Sequence, residues 1–120
     1  MTSTALVRLV QSLLLALCFA HGAAFAHTSL VSSVPAADAS VSTPAALTLT
    51  FGGQVSLLRL TVVGPAGEVD IGFTARTEPL AQHEVKLPPL PAGRYVVDWT
   101  IVGEDGHSIS KSFSFTVTAG

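Results

Sequence analysis

Sulfur is nearly absent from this chain, whose 120 residues include one Cys and one Met. A single Cys excludes an intrachain disulfide, so any fold must stand on its apolar core. Charge is scarce too, at 12%, with six Lys and Arg against eight Asp and Glu and a net of -2. The cations form no run, which excludes the clustered positive surface that nucleic-acid binding needs. Hydrophobic residues make up 48% of the chain, and a chain so rich in them and so poor in charge is not disordered. The length allows one domain.

The apolar excess is concentrated at one end. Residues 1–26 carry one charged side chain, Arg8, followed by the apolar run Leu9 to Ala20 and then Ala24-Phe25-Ala26. A basic start, an apolar stretch and Ala at the −3 and −1 positions are the marks of a cleaved secretory signal peptide. A retained membrane anchor fits less well, because Gln11-Ser12 and His21-Gly22 interrupt a stretch already short of the ~20 residues that a span needs. A lipoprotein would use Cys18, but Leu17 before it is bulky for that processing. The expected division is a signal over residues 1–26 and a domain over 27–120, which is exported and not embedded in a membrane. Cleavage after Ala26 leaves 94 residues with five Lys and Arg, eight Asp and Glu, and no Cys or Met.

Within 27–120 the apolar period is that of strands. Leu47, Leu49 and Phe51 alternate with Thr48 and Thr50, and Leu58, Leu60 and Val62 alternate with Arg59 and Thr61. Tyr95, Val97, Trp99 and Ile101 share one face of a long run, and Phe113, Phe115 and Val117 alternate with Ser and Thr. Positions i and i+2 of a strand point to one side, so each set predicts one buried face. Turn signals separate the runs: Pro35 to Asp38, Gly52-Gly53, Gly64 to Gly67, Pro88 to Gly93 and Gly103 to Gly106. No window predicts an amphipathic helix, and the least patterned stretch, 74–82, is expected to be a loop. Short strands at this spacing predict an all-β, immunoglobulin-like Greek-key sandwich or barrel.

Three histidines remain after cleavage: His27, His83 and His107. An N-terminal His27 offers its α-amine and its ring Nδ1, which close a six-membered chelate on a metal. Linked donors lose less entropy on binding than separate ones. The amine is deprotonated at little cost near neutral pH, since its reference pKa is about 7.7–8.0. His27 can also follow the cleavage site by chance. Asp105 and His107 lie two apart, so an extended backbone points both the same way, toward one ion. Asp105-Gly106 is equally a common hairpin turn, in which His107 merely begins the next strand. Together the two features supply an amine, two imidazoles and a carboxylate. Such a sulfur-free set suits tetragonal Cu(II), and Zn(II) can use it tetrahedrally. His83, flanked by Gln82 and Glu84, reads as a solvated strand histidine with no role, and Tyr95 and Trp99 read as core.

The sequence resembles the CopC family of small periplasmic copper-binding proteins. The matching stretches are His27 to Ala36, Pro44 to Phe51, Leu90 to Val102, and Glu104 to Ser108 leading into Phe113 to Val117. The resemblance implies a Greek-key β-sandwich that binds one Cu(II) per chain through His27, Asp105 and His107. Many members carry an acidic residue two places after the Phe that ends the second strand; here that position is Gly53. The second, Met-rich Cu(I) site of some members has no counterpart in a domain without Met. The resemblance also implies copper homeostasis or resistance in the periplasm, with copper buffered or delivered to an inner-membrane copper-transport protein. The expected protein is a monomer and not an enzyme. Two alternatives use the same residues. A histidine-brace copper monooxygenase shares the amine and two imidazoles, but the carboxylate of Asp105 opposes redox cycling and no aromatic surface is evident for a polysaccharide. A metal-free immunoglobulin-like structural module requires both features to be coincidence.

Overall fold

A computed structural model describes residues 29–119. Seven strands follow in order: β1 (Leu30–Val34), β2 (Ser40–Val41), β3 (Ala46–Gly64), β4 (Gly67–Glu68), β5 (Leu80–Lys86), β6 (Gly93–Val102) and β7 (Ser108–Val117). They form one curled sheet in the order β1-β3-β6-β7-β2, with β4 and β5 also paired to β3. The N-terminal half of β3 pairs antiparallel with β1 and β5. Its C-terminal half pairs antiparallel with β6 and β4. The fold is thus a β-sandwich in which one strand serves both layers.

The core lies between the layers and follows the alternation. Leu47, Leu49, Phe51, Tyr95, Val97, Trp99, Ile101, Phe115 and Val117 are all buried. The Phe51 and Trp99 rings meet edge to face with centroids 5.2 Å apart, a geometry that aromatic quadrupoles favour. The Tyr95 hydroxyl donates to the Pro91 carbonyl at 2.6 Å, so this buried ring keeps its polar end satisfied. The irregular stretch 69–79 runs beside β3, with Val69 N–H on Val62 O and Arg76 N–H on Leu57 O, both at 2.8 Å. Its Val69, Ile71 and Phe73 pack on the core from that side.

Three sequence expectations change. Gly52-Gly53 is not a turn. β3 runs through it, and the two glycines lie where the strand passes from one layer to the other. Pairing with β5 jumps there from Thr50↔Gln82 to Val55↔Leu80, so residues 51–54 form a bulge opposite a single residue of β5. Leu58 is not in the core. A second bulge between Leu57 and Arg59 reverses the phase of β3, burying Leu57 and Leu60 and leaving Leu58 exposed. The loop expected over 74–82 ends at Pro79, since β5 begins at Leu80.

Candidate metal centre

Asp105 and His107 lie in the turn between β6 and β7. The turn closes through Gly106 N–H on Gly103 O at 3.0 Å and Gly103 N–H on His107 O at 3.1 Å. Gly106 has φ +80°, a conformation that glycine adopts without a side-chain penalty. Asp105-Gly106 is therefore a true turn, and the extended backbone that the spacing suggests is not what aligns the two side chains. They meet by another route. One carboxylate oxygen of Asp105 accepts the His107 backbone N–H at 3.1 Å, and the other lies 2.9 Å from His107 Nδ1.

This arrangement has electrostatic consequences. The His107 backbone N–H, and then its ring, hold the Asp105 carboxyl below the usual carboxylate range. A carboxylate only accepts, so Nδ1 carries the hydrogen in this contact, and in the neutral ring the lone pair is then on Nε2. A carboxylate on one imidazole nitrogen that frees the other for a metal is a recurrent pattern around histidine ligands. His107 is 85% exposed and Asp105 67% exposed, so incoming ions reach both.

Among the described residues no group of three or more His, Cys, Asp or Glu could hold a metal ion. The turn supplies two donor residues and needs others. His27 lies outside the described residues, as do the expected signal segment 1–26 and its expected cleavage site. The strand next to His27 in sequence is nevertheless placed. Ser29 O accepts the N–H of Gly52 at 3.0 Å, which ties the start of β1 to the bulge in β3. The last rung between β3 and β6 is Ser56↔Val102. Beyond it β3, read backwards, leads to Gln54, Gly53 and Gly52, while β6, read forwards, leads into the Asp105 turn. Antiparallel register thus puts Ser29, Gly53 and the turn at one end of the sandwich. Gly53 adds no donor there.

His83 differs from expectation. It is not solvated but 1% exposed, because it shares the inward face of β5 with Val85. Its Nε2 lies 2.8 Å from Val55 O, and a carbonyl only accepts, so Nε2 carries the hydrogen. Nδ1 is buried without a partner, a cost of about 1–3 kcal/mol that the bond on the other side of the ring helps to offset. The ring also meets Phe51 edge to face at 6.3 Å. The period-2 series His83, Val85, Leu87 carried this signal, but the polar neighbours Gln82 and Glu84 masked it.

Comparison with known proteins agrees with the fold. Residues 30–118 match the CopC domain. Copper resistance protein C of Escherichia coli is 34% identical over 105 residues, covering 78% of this chain and 83% of that protein. The crystal structure of CopC from Methylosinus trichosporium OB3b superposes with a TM-score of 0.62 at 27% identity, covering 76% of this chain and 93% of the other. PcoC, a methionine-rich copper resistance protein from Escherichia coli, superposes with a TM-score of 0.51 at 28% identity, covering 78% and 100%.

Proposed function

The chain belongs to the CopC domain family, whose relatives are copper resistance proteins, and from that premise we propose that it is a periplasmic Cu(II)-binding protein taking one ion per chain through His27, Asp105 and His107. The single observation that carries this is the Asp105–His107 pair, exposed and already in contact at 2.9 Å, at the end where Ser29 is tied to β3. His27 stands two positions before Ser29, a span of at most ~7 Å. On this reading its amine and imidazole join the turn from that end once residues 1–26 are removed.

The donors fit the ion. Imidazole, amine and carboxylate suit Cu(II), whereas Cu(I) prefers the thiolate and thioether ligands that residues 27–120 lack. Reduction therefore loosens the metal, and the protein holds copper in its oxidised form for storage or for hand-over to a membrane copper-transport partner. The role is binding rather than catalysis. Among the described residues no helix is long and apolar enough to cross a membrane. Native mass spectrometry of the exported protein tests this directly. The expected mass begins at His27 and rises by one copper with Cu(II). A chain that begins elsewhere, or takes up no copper, overturns the assignment.

A further inference from the structure

Among the described residues His83 is the one buried histidine, the copper site does not use it, and its bond spans an unusual gap. On β5 it is the register partner of Leu49, yet its ring reaches Val55 O, six positions further along β3. Six strand residues would normally extend ~20 Å. The contact exists only because residues 51–54 are bulged out between the rungs Thr50↔Gln82 and Val55↔Leu80. The Nε2–H bond therefore closes the base of the bulge. On the opposite edge of β3 the same bulge receives Ser29 through Gly52 N–H, and Leu30 pairs with Phe51. Phe51 in turn lies between the His83 ring and Trp99 of β6, in edge-to-face contact with each.

We propose that His83 is a positioning residue for the copper site: its Nε2–H, bonded to Val55 O, fixes the 51–54 bulge and so sets where Ser29 delivers the amine and ring of His27 relative to Asp105 and His107. His83 touches no metal, being 1% exposed with its one bonded nitrogen committed to a carbonyl. The proposal rests on the copper site put forward above and goes beyond it, since it assigns a role to a histidine outside that site. A donor is needed at Nε2 specifically. An apolar side chain of like volume fills the space but takes this donor away from Val55 O, and the bulge then relaxes toward another register.

The test compares His83→Leu and His83→Gln in the chain beginning at His27. Leu keeps apolar volume without a donor, and the terminal amide of Gln places an N–H near the position of Nε2. Two readouts are taken. Amide hydrogen exchange on the metal-free protein reports the Ser29–Gly52 bond through the Gly52 N–H. Electron paramagnetic resonance of the Cu(II) form reports donor geometry. With His83→Leu, the expected result is Gly52 exchange at least tenfold faster, protection in β6 and β7 retained, and a shifted or heterogeneous copper spectrum. His83→Gln restores both. The proposal is overturned if His83→Leu leaves both readouts as in the parent, or if Gln behaves as Leu does, since packing alone would then explain the residue. If His83→Leu does not fold, His83→Gln decides: Gly52 protection and a copper spectrum like the parent's support the proposal, and a change in either overturns it. A parent chain that binds no Cu(II) overturns the copper assignment and this role with it, while the exchange comparison still shows whether the bond holds the bulge.

Discussion

His83 and His107 are the same side chain in one small sandwich, and each has one ring nitrogen hydrogen-bonded. At His83 the partner is a neutral carbonyl, the ring is enclosed by Phe51 and the β3 bulge, and the free nitrogen faces protein. At His107 the partner is a carboxylate, the ring is 85% exposed, and the free nitrogen faces solvent. Enclosure makes the first a structural tie, and exposure leaves the second open to the ligand role proposed for it. Histidine content alone does not locate a metal site; the partner of one nitrogen and the access to the other do.

The largest expected effect comes from a change at neither histidine. One residue added before His27 converts its amine to an amide, whose nitrogen has no lone pair to donate until it loses its proton. Cu(II) affinity is expected to fall at least ~100-fold, equivalent to about 2.7 kcal/mol, with an unchanged circular dichroism spectrum. Competition against a calibrated chelator measures the loss. An extended chain that folds and binds as tightly as the parent would show that the exposed half of the comparison lacks its N-terminal member.

Alanine at each histidine sharpens the contrast. His83→Ala removes a buried ring, opens a cavity and loses the bond to Val55 O, so a loss of about 2–4 kcal/mol is expected. In a domain of this size each 1 kcal/mol moves Tm by roughly 4–8 °C. His107→Ala is a surface change, expected to stay within about 0.5 kcal/mol in stability, yet to lower Cu(II) affinity about tenfold or more. Thermal unfolding of the metal-free variants, set beside copper titration, reads both. Should His107→Ala unfold the protein while His83→Ala leaves Tm unchanged, the roles are reversed.

Gly64 offers a control at the far end of β3. A Cβ there would lie 2.4 Å from a Tyr95 ring carbon, and Tyr95 is held in place by its bond to Pro91. Gly64→Ala is expected to cost about 1–3 kcal/mol through overpacking. The copper spectrum is expected to be unchanged, because the strain is remote from Gly52 and the turn. A spectrum altered as much as that of His83→Leu would mean that general loosening, not the bulge, governs the site.

The core was legible wherever a strand kept one phase. Tyr95 to Ile101 and Leu47 to Phe51 alternate without a break, and their buried faces are the expected ones. The failures share one cause, which is local departure from period two. The bulge at Leu57 and Arg59 turned Leu58 outward, and Gly52-Gly53, which reads as a turn, became a layer crossing inside one 19-residue strand. Such bulges depend on strand pairings between residues far apart in the chain. At the site, Asp105 and His107 were legible as a pair from their spacing, but a turn hydrogen bond, not strand alternation, joins them. The burial of His83 could be read from its period with Val85 and Leu87, but its bond to Val55 O depended on the β3 bulge and was hidden.

The smallest effect probes that turn bond. Asp105 has its carboxyl held below the ordinary range, first by the His107 backbone N–H and second by the His107 ring. A carboxyl depressed in the folded state contributes stability above its unfolded value of about 3.9 and loses it as pH falls through the lower folded value. The group is exposed, so solvent screening keeps the contribution to global stability small. The useful readout is the carboxyl titration itself, followed by NMR. In His107→Ala the ring is gone but the backbone N–H stays, so the Asp105 carboxyl is expected to return only part of the way to its ordinary range. A complete return would mean that the ring alone orders the carboxylate, and the turn would then not preset Asp105 in the absence of His107. A partial return means that the backbone fixes Asp105 first and the carboxylate then fixes the ring, leaving Nε2 free for the metal.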